Sequence, residues 1–104
     1  MDKESVIGLA KRFSEIVCQS MPVKQIVLYG SYVKDEENPD SDIDIAVIVE
    51  SLDEDYLKAQ AKLFKLRRSI DLRIEPILIE QSNNKSGFLE EILESGIEIY
   101  STTA

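Results

Sequence analysis

The sequence contains no histidine and one cysteine, and both scarcities exclude classes of active site. Without histidine, neither a histidine-based catalytic triad nor an imidazole metal site can form. Cys18 has no partner for an intrachain disulfide, which fits a reducing cytosol, and no histidine is present to activate it as a nucleophile. We therefore expect Cys18 to be a packed thiol on the first helix.

Long apolar runs and an excess of basic residues are also missing. The N-terminal sequence MDKESVIGLAKRF carries charges where a signal peptide would be apolar, and no stretch approaches the roughly 20 apolar residues of a membrane span. Twelve basic residues stand against 20 acidic ones, and the resulting net charge of −8 disfavours non-specific binding to nucleic-acid phosphates. The sequence predicts a cytoplasmic protein that binds neither a membrane nor nucleic acid non-specifically.

The length of 104 residues predicts a single domain over residues 1–104 with one two-layer core. Apolar periodicity alternates between helical and strand spacing along the chain, which predicts an α/β (α+β) fold in which helices pack on a small mixed sheet. The individual predictions are a helix over 3–20, a strand over 25–29, a short helix from Ser31, a strand over 43–49, a helix from the capping box Ser51–Glu54 to about residue 67 or 68, a strand over 70–74 that Pro76 interrupts, a further extended segment over 77–79, a loop over 81–85, a helix over 86–95 and an edge strand over 97–100.

One stretch, IVLYGSYVKDEENPDSDIDIAVIVE, carries features that folding alone does not explain. Gly30 and Ser31 follow an apolar strand directly, at a junction where backbone N–H groups and a hydroxyl can bind phosphate. Asp42 and Asp44 lie at the start of the next strand, on one face and roughly 6–7 Å apart along the chain. Because two like charges on one face repel each other, this pair predicts a bound cation, and Mg²⁺ prefers such oxygen ligands.

Asp71, in the sequence IDLRIEP, is predicted to join this pair from a neighbouring strand. Alternation would place Ile70, Leu72 and Ile74 on one face of that strand and Asp71 with Arg73 on the other. Arg73 is then either the ion-pair partner of Asp71 or a phosphate contact. Three carboxylates beside a phosphate cradle indicate metal-assisted phosphoryl or nucleotidyl transfer.

The motif of Gly30-Ser31, ten intervening residues and Asp42-Ile43-Asp44 resembles the signature of the DNA polymerase beta-like nucleotidyltransferase superfamily. The size of the chain and its ending FLEEILESGIEIY resemble the minimal nucleotidyltransferase (MNT) domains of that superfamily. The resemblance covers nearly the whole chain. It departs at Tyr32-Val33-Lys34-Asp35, where many relatives have small residues followed by Arg-Gly or Lys-Gly.

The resemblance implies a nucleotidyltransferase fold and a role for each motif residue. Asp42, Asp44 and Asp71 would be catalytic residues that bind one or two Mg²⁺ ions, and Gly30 and Ser31 would hold the phosphates of ATP. Asp71 would also act as, or position, the base that deprotonates an acceptor hydroxyl. The hydroxyl would then attack the α-phosphate and release pyrophosphate.

The resemblance also implies a partner. Minimal members of the family are commonly paired with a HEPN-domain toxin as its antitoxin. They transfer AMP to a tyrosine of that toxin. A second surface would have to come from such a partner or from a homo-oligomer. Two alternatives stay open: a nucleotidyltransferase with a small-molecule acceptor such as an aminoglycoside, and a non-catalytic antitoxin that masks its partner by binding.

Overall fold

A computed structural model of the chain describes residues 2–34, 41–83 and 87–102. The elements are α1 (Lys3–Ser20), β1 (Gln25–Tyr29), β2 (Ile43–Val49), α2 (Tyr56–Leu66) with a short 3-10 helix (Arg67–Ser69), β3 (Ile74–Glu80) with a second 3-10 helix (Gln81–Asn83), α3 (Phe88–Ser95) and β4 (Ile97–Ser101). The predicted acidic loop over 35–40, the loop end at 84–85 and the predicted helix start at residue 86 lie outside the described residues.

The four strands form one mixed sheet in the order β3-β2-β1-β4. β1 is antiparallel to both β2 and β4, whereas β2 and β3 are parallel. The prediction of a small mixed sheet with helices packed on it is therefore confirmed. β1 and β2 are the central strands, which explains why β2 is apolar on both faces.

Each face of the sheet has its own apolar cluster. On one face, buried side chains of α1 and α2 such as Phe13 and Leu63 pack against strand residues such as Ile45. On the other face, Leu89 and Ile92 of α3 cover a smaller cluster around β1 and β2. α3 is only eight residues long and is the helix described on this second face. Among the described residues, no helix has the length and apolar character needed to cross a membrane.

The start of α2 differs from the prediction. The capping box at Ser51–Glu54 does not form, and the side chain of Asp55 caps the helix instead by accepting a hydrogen bond from the Lys58 amide at 3.2 Å. The amide of Leu52, within the predicted box, makes a tertiary hydrogen bond to Glu80 of β3 at 2.9 Å. Residues 51–54 are thereby held as a connection to the sheet.

The third strand also differs from the prediction. Residues 70–73 form a turn, in which the amides of Ile70 and Asp71 both donate to the carbonyl of Arg67 at 2.9 Å. Leu72, which was expected on an apolar strand face, is 66% exposed. Pro76 does not interrupt the chain but lies inside β3. Proline is tolerated there because β3 is an edge strand, where a missing N–H need not break a ladder bond.

Side chains of α2 cover the outer edge of β3. Gln60 donates to the carbonyl of Pro76 and accepts from the amide of Leu78, both at 2.8 Å. The hydroxyl of Tyr56 donates to the carbonyl of Leu78 at 2.6 Å. The backbone groups that another strand would otherwise pair are therefore satisfied within the chain.

Candidate active site

A row of three paired residues crosses the sheet at one end. Tyr29, the last residue of β1, is the register partner of Asp44 in β2, and Asp44 is the register partner of Glu75 in β3. Register partners on adjacent strands present their side chains on the same face. The sheet therefore sets one phenol and two carboxylates side by side, on the face that α3 only partly covers.

These side chains line a groove of about 490 Å³. Asp42, which is exposed and immediately precedes β2, also lies in this groove. Residues of α2 and β3 complete the wall: Tyr56, Gln60, Phe64, Pro76 and Ile77. The structure thus brings Asp42 and Asp44 together, as the sequence predicts, and adds Glu75 to them.

The carboxylates in the groove repel each other. Partial burial, then the nearby charges of Asp42 and Glu75, raise the pKa of Asp44 to about 6. Partial burial, then the charges of Asp44 and Glu75, likewise raise the pKa of Tyr29 to about 12. A cation in the groove would relieve this excess of negative charge.

The chain turns sharply at Gly30, directly after β1. Gly30 has a φ of +86°, and its carbonyl accepts hydrogen bonds from the amides of Val33 at 3.1 Å and Lys34 at 3.2 Å. Residues 31–34 are a single turn and not the short helix predicted from Ser31. One turn fixes several residues for few hydrogen bonds, so it does not amount to a stable helix by itself.

Tyr32 anchors this turn to the core. Its side chain is 2% exposed and belongs to the apolar cluster beneath α1 and α2. Tyr32 lies in the segment where the sequence departs from the motif that it resembles, and its burial ties the turn to the core.

Asp71 is not brought together with the two aspartates of the groove. Its carboxylate accepts hydrogen bonds from the amide of Arg73 at 2.8 Å, from Nε at 3.0 Å and from Nη2 at 2.8 Å. These contacts with Arg73 hold the pKa of Asp71 below its usual value. Asp71 lines a different concavity, beside Gly8 and Arg12 of α1. Of the two roles open to Arg73, the structure shows the ion pair.

The sequence analysis did not include Glu75 in the site because it predicted the third strand over 70–74, whereas β3 spans Ile74–Glu80. The signal was present in the chain, since Ile74-Glu75-Pro76 repeats the arrangement of Ile43-Asp44-Ile45, an acid between apolar residues at the start of a strand. The parallel register then sets Glu75 beside Asp44.

The carboxylates of the groove fit a magnesium ion whose other coordination positions are filled by water and substrate. Within residues 2–34, 41–83 and 87–102, no three acidic or thiol side chains form a group that could hold a metal ion alone. Mg²⁺ commonly binds one or two carboxylates and fills its other positions with water and substrate phosphates. Asp42 and Asp44 provide that pair, and partial burial, then the charges of Asp42 and Glu75, raise the pKa of Asp44.

A sequence profile of a known family matches most of the chain. The family is described as "Polymerase beta, Nucleotidyltransferase", and the match covers residues 11–104. It includes the Gly30 turn, both aspartates and β3.

Three similar proteins agree with this match. A Methanocaldococcus jannaschii protein, provisionally named a protein adenylyltransferase, is 27% identical over 100 residues, which cover 90% of this chain and 98% of that protein. A Sulfolobus solfataricus crystal structure, provisionally described as a nucleotidyltransferase, has a TM-score of 0.69 at 19% identity and covers 95% of this chain and 83% of that one. The complex of a tri-AMPylated Shewanella oneidensis HEPN toxin with an MNT antitoxin has a TM-score of 0.62 at 21% identity, over 96% of this chain and 73% of that one.

Proposed function

Because the chain belongs to the polymerase beta nucleotidyltransferase family and is an enzyme of that type, we propose that it transfers AMP from ATP to a tyrosine hydroxyl of a HEPN-domain toxin and thereby acts as its antitoxin. One observation carries the proposal: Asp42, Asp44 and Glu75 share a groove at the sheet end that also bears the Gly30 turn. Carboxylates beside a tight glycine turn suit a reaction in which phosphates and a cation must be held together.

Asp42 and Asp44 would hold Mg²⁺, as one or two ions. When bound, Mg²⁺ would neutralise charge on the triphosphate and polarise its oxygens. Asp44 belongs to a central strand and is fixed by pairing on both sides, to Tyr29 and to Glu75. Such a fixed carboxylate orients its ligand without reorganisation.

Gly30 and Ser31 would bind the phosphates that leave. The absence of a side chain on Gly30 makes room for the carboxylate of Asp44, and beside it the half-buried Ser31 offers a hydroxyl and an amide to phosphate. The turn lies at the end of β1, so pyrophosphate would depart on the β1 side of Asp44.

Glu75 would take the role that the family resemblance implies for Asp71. It lies on β3, on the opposite side of Asp44 from β1. In-line displacement places the attacking and leaving oxygens on opposite sides of phosphorus. The acceptor hydroxyl would enter beside Glu75, give up its proton to that carboxylate and form the new O–P bond as the bond to pyrophosphate breaks.

The acceptor is proposed from the relatives. The M. jannaschii relative is provisionally named for protein adenylylation, and the S. oneidensis complex pairs an MNT antitoxin with an AMPylated HEPN toxin. A toxin of this kind would supply the acceptor hydroxyl to the groove. ATP and Mg²⁺ are available in the cytoplasm, where we place the reaction.

The test combines the purified chain with Mg²⁺, ATP labelled at the α-phosphate, and the HEPN-domain product of the neighbouring gene. Intact-protein mass and label report whether AMP is added to the partner. The double variant Asp42→Asn, Asp44→Asn should abolish labelling. Asp53→Asn, at the opposite end of the sheet, is the matched control and should leave labelling unchanged.

The possible outcomes separate the alternatives. Label on the partner that depends on the two aspartates supports protein adenylylation. Label on an added small hydroxyl compound, such as an aminoglycoside, but not on the partner would indicate a small-molecule acceptor. A partner that binds tightly but stays unlabelled, with no binding of ATP, would show that the chain acts by masking.

A further inference from the structure

We propose that Arg67 is a positioning residue that fixes the carboxylate of Glu75 in the groove. The inference rests on the function proposed above and adds to it a residue outside the Gly-Ser and Asp-x-Asp motifs. It starts from the contacts of the Arg67 side chain, which lies at the junction of α2 with the following 3-10 helix.

The guanidinium of Arg67 is held from three directions. Nη1 donates to the carbonyl of Ile74 at 2.8 Å and lies 3.5 Å from Oε1 of Glu75. The Cζ atom lies 4.8 Å from the centre of the Phe64 ring, a distance suited to a cation–π contact. Backbone, aromatic ring and carboxylate together leave the guanidinium little freedom.

Packing alone does not account for an arginine at this position. Among the side-chain atoms that the structure describes, Nε of Arg67 is the buried nitrogen that has no hydrogen-bond partner. A buried polar atom without a partner lowers stability. An uncharged side chain such as methionine would avoid that cost, but it would leave the Ile74 carbonyl without its hydrogen bond and Glu75 without a cation. The guanidinium thus bonds the β3 backbone and contacts the carboxylate of Glu75, and the variants below separate the two roles.

Glu75 needs such a restraint. Its side chain is 43% exposed, and the charge of Asp44 on the neighbouring strand repels it. A half-exposed glutamate loses several rotamers when it is fixed, and that cost has to be met by contacts. Arg67 attracts Oε1 towards β3 and α2, so Oε2 can face an acceptor hydroxyl in the groove. Arg67 would thus orient the carboxylate of Glu75 before the acceptor hydroxyl binds.

A double-mutant cycle on the purified chain with its HEPN-domain partner tests this role. The variants are Arg67→Met, Glu75→Gln and both together, with Arg68→Met as the control because Arg68 is adjacent and exposed. Arg67→Lys keeps the charge and serves as the conservative variant. The measurements are kcat for AMP transfer, KM for ATP, and thermal unfolding to show that each variant is folded at the assay temperature.

Arg67→Met is expected to lower kcat about tenfold or more with KM for ATP unchanged, because misorientation of a catalytic group affects the reacting centre and not nucleotide binding. Arg67→Lys should recover part of the rate, and Arg68→Met should match the unmodified chain. In the Glu75→Gln background, Arg67→Met should add less than about a twofold loss, since Arg67 acts through Glu75.

Three results would overturn the inference. A kcat for Arg67→Met equal to that of the unmodified chain would show that the contact is not used. The same loss with and without Glu75 would show that Arg67 acts independently of that carboxylate. If Arg67→Met does not fold, Arg67→Gln, which keeps a hydrogen-bond donor but not the charge, takes its place in the cycle, and full kcat for Arg67→Gln decides against positioning. An unmodified chain that transfers no AMP refutes the proposed function itself, and the positioning role with it.

Discussion

The carboxylate of Asp44 lies directly over the Cα atom of Gly30. A Cβ atom on Gly30 would stand 3.0 Å from Cγ and 3.2 Å from Cβ of Asp44, and it would overlap Oδ2. Gly30 also has a φ of +86°, which side-chain-bearing residues rarely adopt. The turn proposed to bind phosphate and the carboxylate proposed to bind the cation are therefore in contact, and a change in one must move the other.

Gly30→Ala should damage both stability and activity. The substitution combines an unfavourable φ with a collision, and we expect a loss of about 1–3 kcal/mol in the free energy of unfolding. AMP transfer should fall further than stability explains, because Asp44 must move. Gly8→Ala is the control, since a Cβ there meets nothing within 4 Å inside α1, and it should stabilise the chain by about 0.5–1 kcal/mol. Urea unfolding and labelled-AMP transfer measure the two effects, and normal transfer by Gly30→Ala would contradict the proposed coupling.

Asp44→Asn should stabilise the metal-free chain above pH 6. The pKa of Asp44 is raised to about 6 in the folded state, against about 3.9 in an unfolded chain, so the folded state binds more protons between these values. The free energy of unfolding therefore falls as pH rises through this range. After allowance for solvent screening, the asparagine variant should gain about 1 kcal/mol at pH 7, or roughly 4–8 °C in Tm, and nothing below about pH 4.

Asp71→Asn is the control of opposite sign for that measurement. Its contact with Arg73 lowers the pKa of Asp71, so the stabilisation is present above about pH 4 and is lost as the pH falls further. Because the pair is partly exposed, the variant should lose only about 0.5 kcal/mol at neutral pH. Equal pH profiles for the two asparagine variants would show that burial and the charges of the groove do not raise the pKa of Asp44.

Mg²⁺ should reverse the effect of the Asp44 charge. An ion that binds only the folded chain stabilises it, by about 1.4 kcal/mol at ten times its Kd. We expect Mg²⁺ to raise the Tm of the unmodified chain and to leave Asp44→Asn unchanged, so that their order at pH 7 is exchanged. Differential scanning fluorimetry with Mg²⁺ and with matched NaCl separates binding from ionic strength. A similar rise in both proteins would place the ion elsewhere.

The local pattern predicted those parts of the fold in which local and tertiary preferences agree. The helical spacing of Val6, Ala10 and Phe13 and the apolar run of β2 each correspond to an observed element with the same bounds. The Asp42 and Asp44 pair was visible for the opposite reason, because aspartate is unfavourable at the start of a buried strand.

The prediction failed where distant residues compete for the same backbone. The amide of Leu52 donates to Glu80, 28 positions away, which holds this segment against the sheet, and α2 begins only at Tyr56. The alternation of Ile70, Leu72 and Ile74 is typical of a strand. The amides of Ile70 and Asp71, however, donate to the backbone carbonyl of Arg67 and form a turn. Asp71 was predicted to lie on that strand beside Asp44, whereas the register of β2 and β3 sets Glu75 beside Asp44.

Gln60→Leu should destabilise the chain through the edge of β3. The substitution keeps a side chain of similar size but removes both hydrogen bonds to the strand, to the carbonyl of Pro76 and the amide of Leu78. Two partly buried backbone groups would lose their partners, at a cost of about 1–3 kcal/mol. Gln19→Leu, on the exposed face of α1, is the matched control and should change stability by less than about 0.5 kcal/mol. An unchanged urea midpoint for Gln60→Leu would show that water replaces Gln60 at the edge.

Glu75→Gln and Asp71→Asn should differ in their effect on catalysis. Both substitutions replace one carboxylate with its amide, so size and hydrogen-bonding reach are nearly kept. Glu75 lies in the groove with Asp42 and Asp44, and loss of its ability to accept the acceptor proton should lower kcat about 10²–10⁴-fold. Asp71 lies in another concavity and is bound by Arg73, so its variant should retain kcat within about threefold once its small loss of stability is allowed for.

Labelled-AMP transfer to the HEPN-domain partner, with KM for ATP measured in parallel, distinguishes the two variants. The opposite ranking would return the third carboxylate to Asp71, which would require residues 70–73 to rearrange when substrate binds, because no other contact of Asp71 in the described residues points towards the groove.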